Sequence, residues 1–237
     1  MVFRSKIEYY HCVKNKPFTD PWGLLQEIKN MVKPSMVDGK KVLDIGCGSG
    51  WIEEMLLDKG AKAIDAIDIS EEVIKSAKAK KLKKVKYKVA GATNLPYPDS
   101  SFDLVVCFEV MEHIEKDGEN NLFSEASRVL KKNGYFLLTT PFQDPITKAL
   151  DPAFWINGHR HYSINKVNGF AESNGFKIVK IEGRGGYFTS FLLISMYASK
   201  WITKRSPLFY KFLLDKSISG YRKTGGNQTL FMIAKKK

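Results

Sequence analysis

Val42-Leu43-Asp44-Ile45-Gly46-Cys47-Gly48-Ser49-Gly50 is the stretch on which the reading of this chain turns. An apolar run carrying one acid leads into a loop with glycine at every second position, and a helix is expected to open near Gly50. Glycine takes positive φ without steric cost and lets a ligand lie against bare backbone. A helix N-terminus behind such a loop points unpaired N–H groups at whatever the loop holds. The pattern predicts a nucleotide-type cofactor site. A dinucleotide fingerprint would need a small residue where Trp51 stands, so the spacing here is G-x-G-x-G and not G-x-G-x-x-G.

Four further segments stand in order behind it. Ala63-Ile64-Asp65-Ala66-Ile67-Asp68-Ile69-Ser70 is a second apolar run ending in a carboxylate. Asp68 lies about 20 residues beyond the glycine loop, where an acid can accept hydrogen bonds from both ribose hydroxyls. Asp65 competes for the role but sits inside the run. Ser70 is placed to cap the next helix, with Glu71 and Glu72 in its first turn. Ala92-Thr93-Asn94-Leu95-Pro96-Tyr97-Pro98-Asp99-Ser100-Ser101-Phe102-Asp103-Leu104-Val105-Val106 joins a loop to a fourth strand, and Phe108-Glu109-Val110-Met111-Glu112-His113-Ile114 follows it. Leu130 to Pro141 reads as a helix end, a turn and a fifth strand.

In these segments the chain resembles the class I S-adenosylmethionine-dependent methyltransferases, and among them the branch reading V-L-D-I-G-C-G-x-G and L-P-x-P-D-x-S-F-D. The resemblance covers roughly residues 35 to 183 and the last strand. It implies an α/β fold: a Rossmann-like, doubly wound, seven-stranded sheet, mostly parallel with one antiparallel strand, and a helical insertion before the last strand. It implies S-adenosyl-L-methionine as cofactor, held at the carboxyl edge of strands one, two and four. Asp44 and the loop of Gly46, Cys47, Gly48 and Gly50 would approach its methionine part, Asp68 and Ile69 the ribose, Ala92 and Thr93 the adenine, while Glu109 would close the pocket. The family often carries an acid just before that alanine. Here the position is Gly91, so adenine recognition would rest on backbone and on Ala92 and Thr93. No metal is implied.

At 237 residues the chain is long enough for one sizeable α/β domain with an insertion. The expected organisation is a single methyltransferase domain over 1–237, an N-terminal helical lid segment over 1–34, and an inserted apolar and basic helical subdomain over 184–226. Three cysteines without spacing suggest a reducing compartment. With no apolar signal segment and no long apolar run, the expected location is cytoplasmic, with peripheral membrane association left open.

The net charge of +13 is unevenly placed. Lys75 to Lys88 holds eight lysines and no acid, and the chain from Tyr187 onward holds ten basic residues against Asp215. Either cluster would attract phosphate, in nucleic acid or in lipid. In the first, Lys84-Val85-Lys86-Tyr87-Lys88-Val89 alternates with period two, and lysines on an edge strand discourage pairing with another chain. The family's third strand lies at the sheet edge, so the structural reading is preferred there.

The second cluster is an insertion. Phe176 to Glu182 reads as strand six and Gln228 to Ala234 as strand seven, and the span between them is far longer than an ordinary loop. It carries Tyr187-Phe188-Thr189-Ser190-Phe191-Leu192-Leu193-Ile194-Ser195-Met196-Tyr197-Ala198, then Lys200, Trp201, Lys204 and Arg205, and after Pro207 a second run, Leu208-Phe209-Tyr210-Lys211-Phe212-Leu213-Leu214. Three readings stay open: helices packed on the sheet edge or on a second subunit, as in a homodimer; peripheral membrane contact through 187–214; or the lining of a pocket for a greasy acceptor. Upstream, Glu8-Tyr9-Tyr10-His11, Phe18 and Trp22 suit a lid over the site or ordinary aromatic packing.

Methyl transfer from a sulfonium needs proximity more than acid–base help, and a base only where the acceptor must lose a proton. His113, after strand four, and His159 and His161, in Asn157-Gly158-His159-Arg160-His161-Tyr162-Ser163 after strand five, are the candidate catalytic residues. Bracing roles compete: His161 at a helix entry that Ser163 would cap, and Glu112-His113 against the loop. Arg160 would hold an anionic acceptor or stay solvated. The chain has no N-P-P-Y element and no Pro-Cys pair, which weighs against methylation of nucleic-acid bases. The expected acceptor is small or lipid-like. An RNA or protein acceptor docked on the basic insertion is the alternative, and a non-catalytic cofactor-binding subunit the second.

Overall fold

A computed structural model describes residues 23–202 and 209–237. In chain order the elements are α1 (Leu24–Met31), α2 (Pro34–Val37), β1 (Lys41–Ile45), α3 (Glu53–Asp58), β2 (Ala63–Asp68), α4 (Glu71–Lys78), β3 (Val85–Val89), β4 (Phe102–Phe108), a single 3-10 turn (Met111–His113) and α5 (Glu119–Val129). There follow β5 (Leu130–Pro141), α6 (Pro145–Ala149), α7 (Pro152–Asn157), α8 (Ile164–Ser173), β6 (Phe176–Arg184), α9 (Tyr187–Ile202), α10 (Tyr210–Tyr221) and β7 (Thr229–Lys236). The lid candidates Glu8, Tyr9, Tyr10, His11, Phe18 and Trp22 lie outside the described residues, as do 203–208 of the insertion.

The described strands form one seven-stranded sheet in the order β3-β2-β1-β4-β5-β7-β6. β3–β2, β2–β1, β1–β4 and β4–β5 all pair in parallel, so antiparallel pairing is confined to the β5-β7-β6 end. β1 and β4 are buried almost throughout, as expected for central parallel strands covered on both faces. β3 lies at the edge: Lys84, Lys86 and Lys88 face solvent while Val85 and Tyr87 are half-buried between them. That arrangement matches the lysine alternation read from the sequence.

Two local expectations are corrected. The helix behind the glycine loop begins at Glu53 and not near Gly50, because Gly50, Trp51 and Ile52 complete a turn that sets the Trp51 ring 6.4 Å from Phe108. β5 also starts directly at Leu130; the turn expected ahead of it is taken up within the strand, where Asn133 has φ +63°.

The chain divides into two compact units. The first holds 31–139, 165–181 and 232–237. Part of its core is a cluster of Phe123 on α5, Phe136 on β5, Phe170 on α8 and Phe176 on β6, with ring centroids 5.4–6.5 Å apart. Burying each ring stabilises the fold by about 1.5–3 kcal/mol, before any gain from edge-to-face geometry. Of the described residues, the second unit holds 23–30, 140–164, 182–202 and 209–231. Polar contacts knit it together. Arg184 pairs with Glu27 and with Glu182, the Thr189 and Ser217 hydroxyls meet at 2.7 Å between α9 and α10, and Tyr221 bonds Thr229 at 2.9 Å.

Candidate functional site

The first unit builds a cradle at the carboxyl ends of β1, β2 and β4. β1 delivers Asp44, which is buried, and the chain then turns through Gly46, Gly48 and Gly50, all at positive φ (+75°, +55° and +77°). At Gly46 the constraint is also spatial: a Cβ there would lie 2.2 Å from Val110 Cγ2. The segment after β4 therefore packs directly on the loop.

Backbone bonds fix the loop on the end of β2. The N–H groups of Gly46 and Cys47 both donate to the Ile67 carbonyl, at 2.8 and 2.9 Å. Asp68 completes the attachment. Its Oδ2 accepts from Gly48 N at 3.1 Å and its Oδ1 accepts from Ser70 N at 2.9 Å, at the start of α4. Ser70 in turn caps α4, accepting from Val73 N at 3.4 Å, as its sequence position implied. Asp65, on the same strand, instead lies 3.4 Å from Lys41, so Asp68 is the acid at the loop.

The electrostatics of the cradle are one-sided. Burial, with Glu53 and Asp68 nearby, holds the Asp44 carboxyl well above the usual carboxylate range, and its Oδ2 has no hydrogen-bond partner among the described residues. Burial raises Glu53 to about 7, and its Oε1 is likewise unmatched. Burial raises Asp68 too, against the hydrogen bonds from Ser70 and Gly48 that lower it. The same surroundings push the Cys47 thiol far up, so it is neutral and no nucleophile. Three buried acids around a glycine loop favour a ligand that brings positive charge and donors.

The remaining cofactor candidates lie on neighbouring segments. Ile69, next to Asp68, is 75% exposed and offers an apolar surface there. Ala92 and Thr93 are half-buried in the loop after β3. That loop is clasped further along: Leu95 N donates to Glu125 at 2.6 Å, and Arg128 donates to the Leu95 and Tyr97 carbonyls and to Asp99 and Glu125 at 2.7–3.0 Å. Glu109, at the end of β4, takes φ +56°, a left-handed conformation costly for a residue with a Cβ, and its N–H donates to Thr139 O at 3.0 Å.

His113 stands on the 3-10 turn after β4, its Nε2 3.9 Å from Glu112 Oε1, near enough to Asp68 that a proton on it would favour the Asp68 carboxylate. It shares the compact unit of the glycine loop. His159 and His161 belong to the other unit. There Asp151 joins them: its Oδ2 lies 2.9 Å from His159 Nδ1 and 3.4 Å from His161 Nε2, while its Oδ1 caps α7 through Ala153 N. His161 is buried, and desolvation lowers its pKa despite Asp151, so the ring is neutral near pH 7. Its Nδ1 finds no partner among the described residues. The guanidinium of Arg160 lies 6.0 Å from the centre of the Tyr162 ring. Glu53, Asp151 and the Arg128 clasp were not singled out from sequence. Glu53-Glu54 reads there as an ordinary acidic first turn, and the other two depend on contacts that sequence spacing does not display.

Known proteins resemble the chain in sequence and in fold. Residues 43–138 match the family described as a methyltransferase domain. The chain is 30% identical over 196 residues to phosphoethanolamine N-methyltransferase 3 of Arabidopsis thaliana, covering 79% of this chain and 39% of that one. It is 34% identical over 116 residues to a ubiquinone biosynthesis O-methyltransferase of Xanthomonas oryzae, covering 47% of each. The chain spans about half the length of the curated relatives it matches, or less. Among solved structures, an S-adenosylmethionine-dependent methyltransferase from Mesorhizobium loti superposes with a TM-score of 0.65 at 18% identity, covering 89% of this chain and 96% of that one. The fold and the matched segment are those of the class I S-adenosylmethionine-dependent methyltransferases.

Proposed function

We propose that this chain, built on the class I methyltransferase fold, is an S-adenosyl-L-methionine-dependent enzyme that moves a methyl group to a small or lipid-like acceptor. The observation that carries the reading is Asp44: a buried carboxyl with an unmatched oxygen, at the mouth of a glycine loop already fixed by Asp68. The cofactor's ammonium and sulfonium charges fit that need, and its ribose fits the lone pairs left on Asp68. When bound there, S-adenosyl-L-methionine supplies a methyl group on a positively charged sulfur that keeps the bonding electron pair as the methyl leaves, so no acid is required.

The chain's own residues do the rest. Asp44, Gly46, Cys47, Gly48 and Gly50 hold the methionine end, Asp68 and Ile69 the ribose, Ala92 and Thr93 the adenine, and Glu109 shuts the pocket behind it. Holding the acceptor in line within a dry site supplies most of the acceleration. Where the acceptor is a hydroxyl or a protonated amine, His113 takes its proton; His159, oriented by Asp151 through Nδ1, is the second candidate. The names of the matched relatives, one acting on phosphoethanolamine and one in ubiquinone biosynthesis, support a small or lipid-like acceptor.

The test is to incubate purified protein with methyl-labelled cofactor and an extract of its native cells, with Asp68→Ala as control, and to partition the label. Label in the organic or small-molecule fraction, absent from the control, is the expected result. Label in RNA or protein overturns the acceptor class. Absence of both transfer and S-adenosylhomocysteine binding overturns the function.

A further inference from the structure

The helices of the insertion are packed inside out. α9 turns Thr189, Ser190 and Leu192 inward, and α10 turns Ser217 and Tyr221 inward; the Thr189–Ser217 hydroxyl pair and a 2.9 Å bond from Ser190 to Gln228 hold them. Their aromatics point the other way. Phe188 and Phe191, three residues apart on α9, are 43% and 50% exposed, and Phe209 and Phe212, three apart at the start of α10, are 76% and 53% exposed. The Phe188 and Phe212 rings meet at 6.2 Å, so the two pairs form one continuous apolar stripe. Soluble surfaces scatter such residues singly, and a contiguous patch marks an interaction surface.

Its charge selects the partner. Lys211 and Lys216 are exposed on α10, with Lys216 Nζ 5.8 Å from the centre of the Phe212 ring, and Arg222 and Lys223 are exposed just beyond the helix. The chain from Tyr187 onward has ten basic residues and one acid, so a second copy seated here would set like charges against one another. No described helix is long and apolar enough to cross a membrane.

We propose that the α9–α10 face docks the protein on an anionic lipid bilayer, with Phe188, Phe191, Phe209 and Phe212 entering the interface and Lys211 and Lys216 meeting lipid phosphates. Aromatics paired with cations are the composition that lies in the headgroup layer. The inference does not depend on which acceptor is methylated.

Flotation of the full-length protein with vesicles of phosphatidylcholine, alone or mixed with phosphatidylglycerol, tests it. The protein should float with the mixed vesicles, sink with phosphatidylcholine alone, and be released by salt. Phe209→Ser/Phe212→Ser should lower the bound fraction about tenfold, and Lys211→Glu/Lys216→Glu severalfold with a weaker salt dependence. Unchanged melting temperatures and S-adenosylhomocysteine affinities would show that the variants are folded. Equal flotation of wild type and the phenylalanine variant overturns the proposal, as does wild type that never floats. A wild-type dimer made monomeric by that variant, with no vesicle binding, would make the face a self-interface instead.

Discussion

Around the glycine loop the chain buries acids: Asp44 and Glu53 each keep a carboxyl oxygen that nothing among the described residues matches. Along α9 and α10 it does the reverse, burying hydroxyls and exposing four phenylalanines. Each region is locally wrong for a free globular protein, and the errors have opposite sign. A buried acid lacks donors and positive charge; an exposed aromatic stripe lacks an apolar phase. The two proposed occupants differ accordingly: a cationic small molecule that would satisfy the buried acids, and a lipid interface that would cover the exposed rings.

That contrast can be broken most severely at Gly46. Gly46→Val places a side chain against Val110 on a backbone at φ +75°, and should cost about 1–3 kcal/mol of stability and abolish S-adenosylhomocysteine binding in calorimetry. Native affinity in this variant would take the loop out of the site. The two acids of the cradle should then part company. Asp68→Ala removes the acceptor of Gly48 N and Ser70 N, so affinity should fall by about 1.5–3 kcal/mol and the melting temperature should fall with it. Asp44→Asn should weaken binding comparably yet leave the free protein as stable or more so, because it removes a buried acid whose ionisation is disfavoured and whose Oδ2 is unmatched. A destabilised Asp44→Asn protein would mean that the acid is already satisfied.

A gentler probe is pH. A carboxyl whose pKa is raised by folding contributes stability that is complete below its unfolded value and lost as pH rises through the folded one. For Glu53 the window runs from about 4.5 to about 7, so the free protein should melt progressively lower across it, and Glu53→Gln should flatten the slope. The smallest effect belongs to the other region. Phe209→Ser should change stability by no more than about 0.5 kcal/mol, since the side chain is largely exposed. A large loss would show the stripe to be part of the core.

The sequence made the centre of this fold legible because β1, β2 and β4 are buried runs whose acids and glycines fall at their ends. The edge strand was legible for the opposite reason, its lysines alternating with half-buried residues. Helix onset was misplaced at Gly50 because the glycine pattern says where the chain turns and not how long Trp51 and Ile52 need to complete the turn. The buried acid Glu53 and the shared partner Asp151 were invisible for a common cause. An acid in a first helical turn, or ahead of a proline, is usually solvated, and only tertiary packing dries it.

The Arg128 clasp has a consequence for motion. Ala90 N is held by the Asp68 carbonyl at 3.0 Å and Leu95 N by Glu125, so Gly91 to Asn94 forms a short bridge pinned at both ends. Arg128 ties the segment beyond Leu95 to α5. A segment this short, bonded at both ends, has little length with which to swing open as a lid. In the proposed site adenine would meet a segment of four residues already held at both ends, so little chain would have to be ordered on its arrival.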